Sequence, residues 1–366
     1  MAPLSTSFSA FLVDRSAATS TIEPAIATPL CFTDARREHL ATRRSAGLFD
    51  FSFMSCAQIT GAGSVPFLNS LQTRSPGALP DGRIAYTLLL RDDGTVLSDA
   101  TLWRLTHDCY WLFVGRRSDF GHISRCARQF DVGVIELAGQ HAVMAIQGAA
   151  SWRIIERCFA PRQLPALPYY GFQRIEFAGN ACWLARIGYS GESGYELVIA
   201  DTAAPALWQG LLAAGGDCGL LECGFAATDA LRIEAGHILF TRELAAPVMP
   251  AELGLARLVD FYQPSFRGEP AVRAQRWQSP QRRLCGLLPA ADYTGNAELP
   301  AQIRPGTAIM TSACRSPLFG RQIGLGFVNN EDAHPGAVVT LGDGTRARVA
   351  RLPFYDPARC LPRRAR

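Results

Sequence analysis

Residues 84–114 constrain the fold more than any other stretch of this chain. Ile84 to Arg91 is an apolar, β-prone run, Asp92-Asp93-Gly94-Thr95 has the composition of a tight hairpin turn, and Val96 to Leu105 reads as the return strand. His107-Asp108 turns the chain again, and Cys109 to Val114 makes a third strand. Such an antiparallel meander has to bury one face against a second layer. The rest of the chain supplies helices and strands without β-α alternation. Helices are expected over 34–46, 65–71, 117–130, 151–159, 204–214 and 225–235, and strands over 48–51, 143–147, 177–186 and 195–199. The fold class is therefore α+β rather than a doubly wound parallel sheet. Residues 161–168 read as a Pro-rich connector, 276–283 as a polar linker, and the short strands and Gly/Pro turns after it as a small β-barrel domain.

A chain of 366 residues has room for two or three domains, and its 48% hydrophobic and 19% charged residues suit a folded core. No apolar run approaches the roughly 20 residues that span a bilayer. The first thirty residues, rich in Ala, Ser, Thr and Pro, lack the order of a secretory signal and read as a loose arm on a cytoplasmic protein. The eleven cysteines are scattered, with no C-x-x-C, and read as small apolar residues in a reducing compartment, with no metal role. The chain contains no lysine, so all 36 basic residues of the Lys+Arg class are arginine. A guanidinium supplies no deprotonated amine near neutral pH, which excludes Schiff-base catalysis and a phosphate-loop lysine. A formal charge of +4, spread along the sequence, suits an anionic small ligand better than a nucleic-acid duplex.

Several catalytic motifs fail on spacing. Gly188-Tyr-Ser-Gly-Glu-Ser-Gly194 places glycine at every third position, which is neither the dinucleotide fingerprint nor a nucleophile elbow. The six histidines have no metal-ligand spacing. Other candidates stand out singly. Leu97, Asp99, Thr101, Trp103 and Leu105 share one face of the return strand by alternation, which sets a carboxylate in line with Leu and Trp. A buried carboxylate is costly unless bonded, so Asp99 is either functional or a cap for a neighbouring turn. Glu196, alone, reads as a solvent-facing strand residue, Arg232 as a surface arginine paired with Asp229, and Tyr86 and Tyr189 as core or edge aromatics.

Taken in order, these stretches resemble the aminomethyltransferase, or glycine cleavage T-protein, family. The resemblance runs through Gly47-Leu-Phe-Asp-Phe-Ser, Leu79-Pro-Asp-Gly-Arg-Ile-Ala-Tyr86-Thr, Gly94-Thr-Val-Leu-Ser-Asp99, Ala145-Ile-Gln-Gly148, Ile187-Gly-Tyr-Ser-Gly-Glu-Ser-Gly-Tyr-Glu196 and Ala230-Leu-Arg-Ile-Glu-Ala-Gly236. Thr311-Ser312, Ser316-Pro317 and Leu352-Pro-Phe-Tyr355 complete it, so that it covers about residues 30–360. It implies a three-domain cloverleaf around a central folate pocket. After the arm of 1–30, residues 31–58 with 150–248, and 59–149 with 249–278, would form two interleaved parts, and 279–366 the C-terminal barrel. It also implies tetrahydrofolate as cofactor, Asp99 beside the reacting nitrogens, Glu196 on the pterin, and Tyr86, Tyr189 and Arg232 lining the pocket.

The chain departs from the family pattern on the donor side. Ser98 replaces the first of two acids, Phe53 stands where histidine is common, and Val114-Gly115-Arg116-Arg117-Ser118 replaces Val-Asn-Ala-Ala-Asn. Arg116 and Arg117, with Tyr355, are thus candidates for meeting a small anionic donor; otherwise the two arginines begin a solvated helix. The expectation is a tetrahydrofolate-dependent demethylase moving a methyl group from a small O-, N- or S-methylated compound to folate N5. The alternatives are a glycine cleavage aminomethyltransferase and a non-catalytic folate-binding module, whose Lys-Gly-Cys-type motif a lysine-free chain lacks.

Overall fold

The computed structural model describes residues 6–23, 26–159, 164, 166–295 and 299–364. From the N-terminus come α1 (Ser7–Arg15), β1 (Ala18–Glu23), β2 (Ile26–Cys31), α2 (Ala35–Arg44), β3 (Ala46–Asp50), β4 (Ser55–Thr60) and α3 (Ser64–Leu71). The meander follows as β5 (Arg83–Leu90), β6 (Val96–Thr106) and β7 (Cys109–Val114), then α4 (Ser118–Ala127), β8 (Gly133–Glu136), β9 (His141–Gln147) and α5 (Ser151–Cys158). Next are β10 (Phe172–Phe177), β11 (Asn180–Ala185), β12 (Gly194–Ala200), α6 (Ala204–Gly215), β13 (Leu220–Cys223), α7 (Phe225–Glu234) and α8 (Glu269–Ala274). Strands β14 (Arg282–Pro289), β15 (Ala308–Ser316), β16 (Arg321–Asn329), β17 (Val338–Thr340) and β18 (Arg346–Ala350) complete the chain. No helix among the described residues is long and apolar enough to cross a membrane.

Three larger sheets carry the fold. The meander pairs on into β5-β6-β7-β4-β8, a second sheet runs β10-β11-β12-β9-β3-β13, and the third runs β15-β16-β14-β18-β17. A parallel bridge between Thr307 and Thr340 joins the two edges of the third sheet, so it curls as the barrel reading expected. Strand β9 joins the six-stranded sheet although it lies within the 59–149 span, and β4 crosses to the meander sheet. Each of the first two sheets has a private core on one face: Phe67, Leu68 and Ile123 of the helices on Ala100, Leu102 and Leu112, and Phe8, Ile154 and Trp208 on Leu48, Ile146 and Leu197. Their other faces meet in one shared core that holds Phe49, Trp103, Val143, Ala185, Val198 and Leu231, and the barrel adds Phe327 to it. Everything that follows lies along this seam.

Three expectations change. The first thirty residues are no loose arm where they are described: Thr6 caps α1, Phe8 and Leu12 are fully buried, and Phe8 meets the Trp208 ring at 5.6 Å. The strand expected over 177–186 starts later, as β11, and is the second arm of a hairpin with β10, because Ala178 and Gly179 take φ of 47° and 79° and reverse the chain. The Pro-rich connector lies partly outside the described residues, at 161–163 and 165. Leu97 does not share the face of Asp99. The β5–β6 register shifts between Leu89 and Leu90, and this irregularity sends Leu97 to the helix-covered side with Ala100 and Leu102. Asp99, Thr101 and Trp103 remain together on the seam.

Candidate active site

Asp99 sits on β6 opposite Leu88, diagonal to Tyr86 of β5, and the Tyr86 hydroxyl donates to Asp99 Oδ2 at 2.8 Å. Burial pushes the Asp99 carboxyl above the usual carboxylate range, while the Tyr86 hydrogen bond and the Arg116 charge oppose that rise and Asp119 adds to it. The Tyr86 hydroxyl is held protonated by burial and by the same carboxylate. Below Asp99 on the same face, Trp103 donates its Nε1–H to Thr101 Oγ1 at 3.1 Å and packs on Phe172 and Phe113 at 4.9 and 5.1 Å. Sequence reasoning passed over Tyr170, which neighbours Tyr86 and Glu196 electrostatically and takes a φ of 62°. No sequence signal marks it, since a left-handed tyrosine is set by the tertiary turn that carries it.

Across the seam, Glu196 projects from β12 between Ala145 of β9 and Ala185 of β11, both fully buried. Glu196 is 7% exposed, its carboxylate makes no hydrogen bond to any described residue, and burial pushes it up to about 8. A buried carboxylate without a partner is costly, and adjacent N–H donors on a pterin edge are the groups that would satisfy it. On this observation the residues present fit tetrahydrofolate.

The glycine loop is locked from below by Gln147. Its Nε2 donates to Ile187 O at 3.2 Å and its Oε1 accepts from Ser190 Oγ at 2.8 Å. A Cβ on Gly188 or Gly194 would run into the Gln147 side chain, so both positions need glycine for close approach. The loop thereby brings Tyr189 to the seam, where its hydroxyl donates to Ile238 O and its ring stacks on His237 at 5.5 Å. Burial and neighbouring arginines hold His237 neutral, down to about 3. Asp50, in the Gly47–Ser52 motif, accepts from Ser52 N at 2.8 Å, and burial raises its carboxyl to about 6. Ser52 Oγ in turn accepts from Val143 N at 2.9 Å, stitching β3 to β9.

The arginines are placed differently from their sequence reading. Arg232 does pair with Asp229, at 2.8 Å, but it is 1% exposed rather than on the surface. Its other nitrogens donate to Glu243 Oε2 at 3.0 Å, Ser312 Oγ at 2.7 Å and His237 O at 3.1 Å. It ties α7 to the barrel and to the 237–243 segment and has no free fork toward a ligand. Arg116 points inward too, donating to Leu97 O at 3.4 Å, Leu244 O at 3.2 Å and Phe240 O. Arg117 precedes α4 with its Nε buried and unpaired among the described residues. Tyr355 covers the Arg43 guanidinium at 4.0 Å, inside a buried network that sequence reasoning missed. There Arg43 donates to Glu234 Oε2 at 2.7 Å, Glu192 Oε1 at 2.8 Å and Ser190 O at 2.9 Å, and His39 Nε2 lies 2.9 Å from Glu234. Glu234 and Glu192 are in the motifs quoted above, but only the fold makes them neighbours of Arg43.

The geometry defines a class: an enzyme whose buried, unpaired carboxylate and tyrosine-lined seam suit a flat heterocycle beside a second carboxylate. The sequence matches the GCVT N-terminal domain over residues 13–263 and the glycine cleavage T-protein C-terminal barrel domain over 282–356. An aminomethyltransferase of Geobacillus thermodenitrificans is 33% identical over 345 residues, covering 90% of this chain and 93% of the relative. One of Streptomyces avermitilis is 35% identical over 344 residues, with 89% and 91% covered. The crystal structure of glycine cleavage system aminomethyltransferase T from Bartonella henselae shares the fold, with a TM-score of 0.80 at 24% identity over 95% of this chain and 97% of that one. The chain belongs to the glycine cleavage T-protein (aminomethyltransferase) family. It is a folate-dependent transferase, and tetrahydrofolate is its one-carbon acceptor.

Proposed function

We propose that the chain is an aminomethyltransferase: it takes the carbon of an aminomethyl group held on the sulfur of a lipoyl arm, passes it to tetrahydrofolate and releases the amine as ammonia. The balance is closed. The C–S and C–N bonds break, the carbon becomes the 5,10-methylene bridge, and the two folate N–H protons leave on the thiol and the ammonia. When bound, tetrahydrofolate supplies the nucleophilic nitrogen. Glu196 accepts the pterin N–H donors, Tyr86 and Tyr189 wall the ring, and Asp99 stabilises positive charge at the carbon in transit. Alignment of donor carbon and nucleophile is the main contribution of such a site, worth about 7–11 kcal/mol in favourable cases.

The observation that carries this reading is the tie of Arg116 to Leu97, Phe240 and Leu244 carbonyls. Arg116, at the substitution that separated this chain from the aminomethyltransferases, is engaged by these carbonyls rather than turned to a small anionic donor, and the relatives at 33% and 35% identity bear the aminomethyltransferase name. A second reading, demethylation of a small methylated compound, draws on a different observation. Phe53, where histidine is common, joins Phe225 and Phe240 at 6.4 and 6.3 Å in an apolar wall. The test is turnover with tetrahydrofolate and an aminomethyl-lipoyl donor. Stoichiometric ammonia and methylene-tetrahydrofolate support the proposal. Methyl-tetrahydrofolate formed from methylated compounds, with no ammonia from the lipoyl donor, replaces it with the second reading. Asp99→Asn should abolish turnover with tetrahydrofolate binding retained, and surviving turnover removes Asp99 from its role.

A further inference from the structure

Gly115 and Arg116 follow β7 where the chain turns into α4, and both press on the same segment. A Cβ on Gly115 would enter the Phe240 ring. Next to it, the Arg116 fork reaches back to the Phe240 and Leu244 carbonyls on one side and to Leu97 O, two residues before Asp99, on the other. Phe240 and Leu244 are 4% and 1% exposed. The opposite end of the segment is held separately: Glu243 Oε2 accepts from Leu239 N at 2.8 Å and from Arg232 at 3.0 Å. The buried Arg232 and the half-buried Arg116 thus clamp residues 237–244 from two sides. The Arg232 clamp reaches the barrel, whereas the Arg116 clamp reaches the strand that carries Asp99.

We propose that Arg116 is a positioning residue that straps the 240–244 segment to β6, fixing the Phe53–Phe240 donor-side wall against Asp99. A planar fork with several donors suits three carbonyls from two chain segments, which a point-charge ammonium does not match. The strap acts on charge as well as shape. The groups facing Asp99 are the Tyr86 hydroxyl from β5, Tyr189 from the glycine loop, Asp119 from α4 and Arg116 itself. Arg116 is the cation in that set that opposes burial and Asp119, so it favours the ionised carboxylate that transition-state stabilisation requires. The inference rests on the role given to Asp99 and not on which donor is used.

Arg116→Met and Arg116→Lys test it on the full chain. Both should lower kcat with the aminomethyl-lipoyl donor by roughly ten- to a hundredfold, because small misplacements at the reacting carbon are that costly. Tetrahydrofolate affinity, measured by calorimetry, should stay within about threefold, since no pterin contact is removed. Hydrogen exchange of the 240–244 amides should quicken in both. The donor-free discriminator is the Asp99 carboxyl titration by 13C NMR, assigned with Asp99→Asn. Its midpoint should rise in Arg116→Met and hold in Arg116→Lys, which keeps the charge. A folded Arg116→Met with unchanged exchange and an unchanged Asp99 midpoint overturns the proposal, as does a kcat loss matched by equal loss of folate affinity. If Arg116→Met does not fold, Arg116→Lys decides alone: lowered kcat with faster exchange supports the strap, and wild-type values of both overturn it. Should Asp99→Asn retain turnover, the role of Asp99 fails by itself, and the exchange rates still judge the strap.

Discussion

The Tyr86 hydroxyl and the Asp99 carboxylate are diagonal neighbours on adjacent antiparallel strands, joined by a 2.8 Å hydrogen bond across the pair. Diagonal side chains on one sheet face lie within reach of long residues, so this bond follows from register once both face the seam. It also sets the carboxylate's working range, because a donated hydrogen bond favours the ionised form against the burial that disfavours it.

Tyr86→Phe removes the donor and leaves the ring. The Asp99 pKa then rises, so the acidic limb of the kcat profile should move to higher pH, with kcat near neutrality falling by roughly tenfold. Turnover measured across pH checks this, and an unmoved limb would contradict the assignment.

Glu196 carries the opposite lesson about stability. Its folded-state carboxyl is raised to about 8, so its neutral form suits the ligand-free fold. Stability linked to Glu196 is therefore full below the ordinary carboxylate range and lost as pH rises through about 8. Glu196→Gln should make the ligand-free protein more resistant to urea at pH values above that midpoint, by on the order of 1–2 kcal/mol. The same variant should bind tetrahydrofolate roughly ten- to a hundredfold more weakly, since a charge-assisted pair is lost. Wild-type affinity should strengthen as pH rises through the midpoint, whereas that of the variant should stay flat.

Arg43 joins α2, the glycine loop and α7 through Glu234 and Glu192, with its side chain 4% exposed. Arg43→Met leaves Glu234 buried with only His39 and Ser316 as partners. Burial raises the Glu234 carboxyl while His39 and Arg43 lower it on balance, so the loss of Arg43 destabilises its charge. The expected cost is about 3–5 kcal/mol in urea unfolding. Tetrahydrofolate affinity should also fall, because the loop bearing Tyr189 loses its anchor.

Phe8→Ala tests whether the N-terminal helix belongs to the core. Phe8 is fully buried against Trp208, so truncation should cost about 3–5 kcal/mol in chemical denaturation. At temperatures where the variant remains folded, kcat should match the parent. A cost near zero would return residues 7–15 to the status of an appendage.

Local chemistry made the meander legible, since turn residues and β-prone runs act over a few positions. Its three strands lie within one or two residues of where their sequence puts them. The helices at 204–215 and 225–234 and the glycine loop were equally readable. The N-terminal helix was not, because Phe8 is an apolar peg that packs on Trp208 of α6, far along the chain. The hairpin at 172–185 was hidden by a non-glycine residue at positive φ, a conformation no local rule predicts for Ala178.

By itself the sequence determined the α+β class, the absence of lysine chemistry, and the family order of Asp99, Glu196, the glycine loop and the Leu-Arg helix. Whether a side chain is free or engaged was decided only by the tertiary structure. Arg232 was expected to line the pocket and Arg116 to meet an anionic donor, yet each meets carbonyls or carboxylates from distant segments, whereas the Glu196 carboxylate has no hydrogen-bond partner among the described residues. A hydrogen bond depends on which groups converge within about 3 Å. That convergence is a property of the packed seam between the sheets, and no spacing along the chain encodes it.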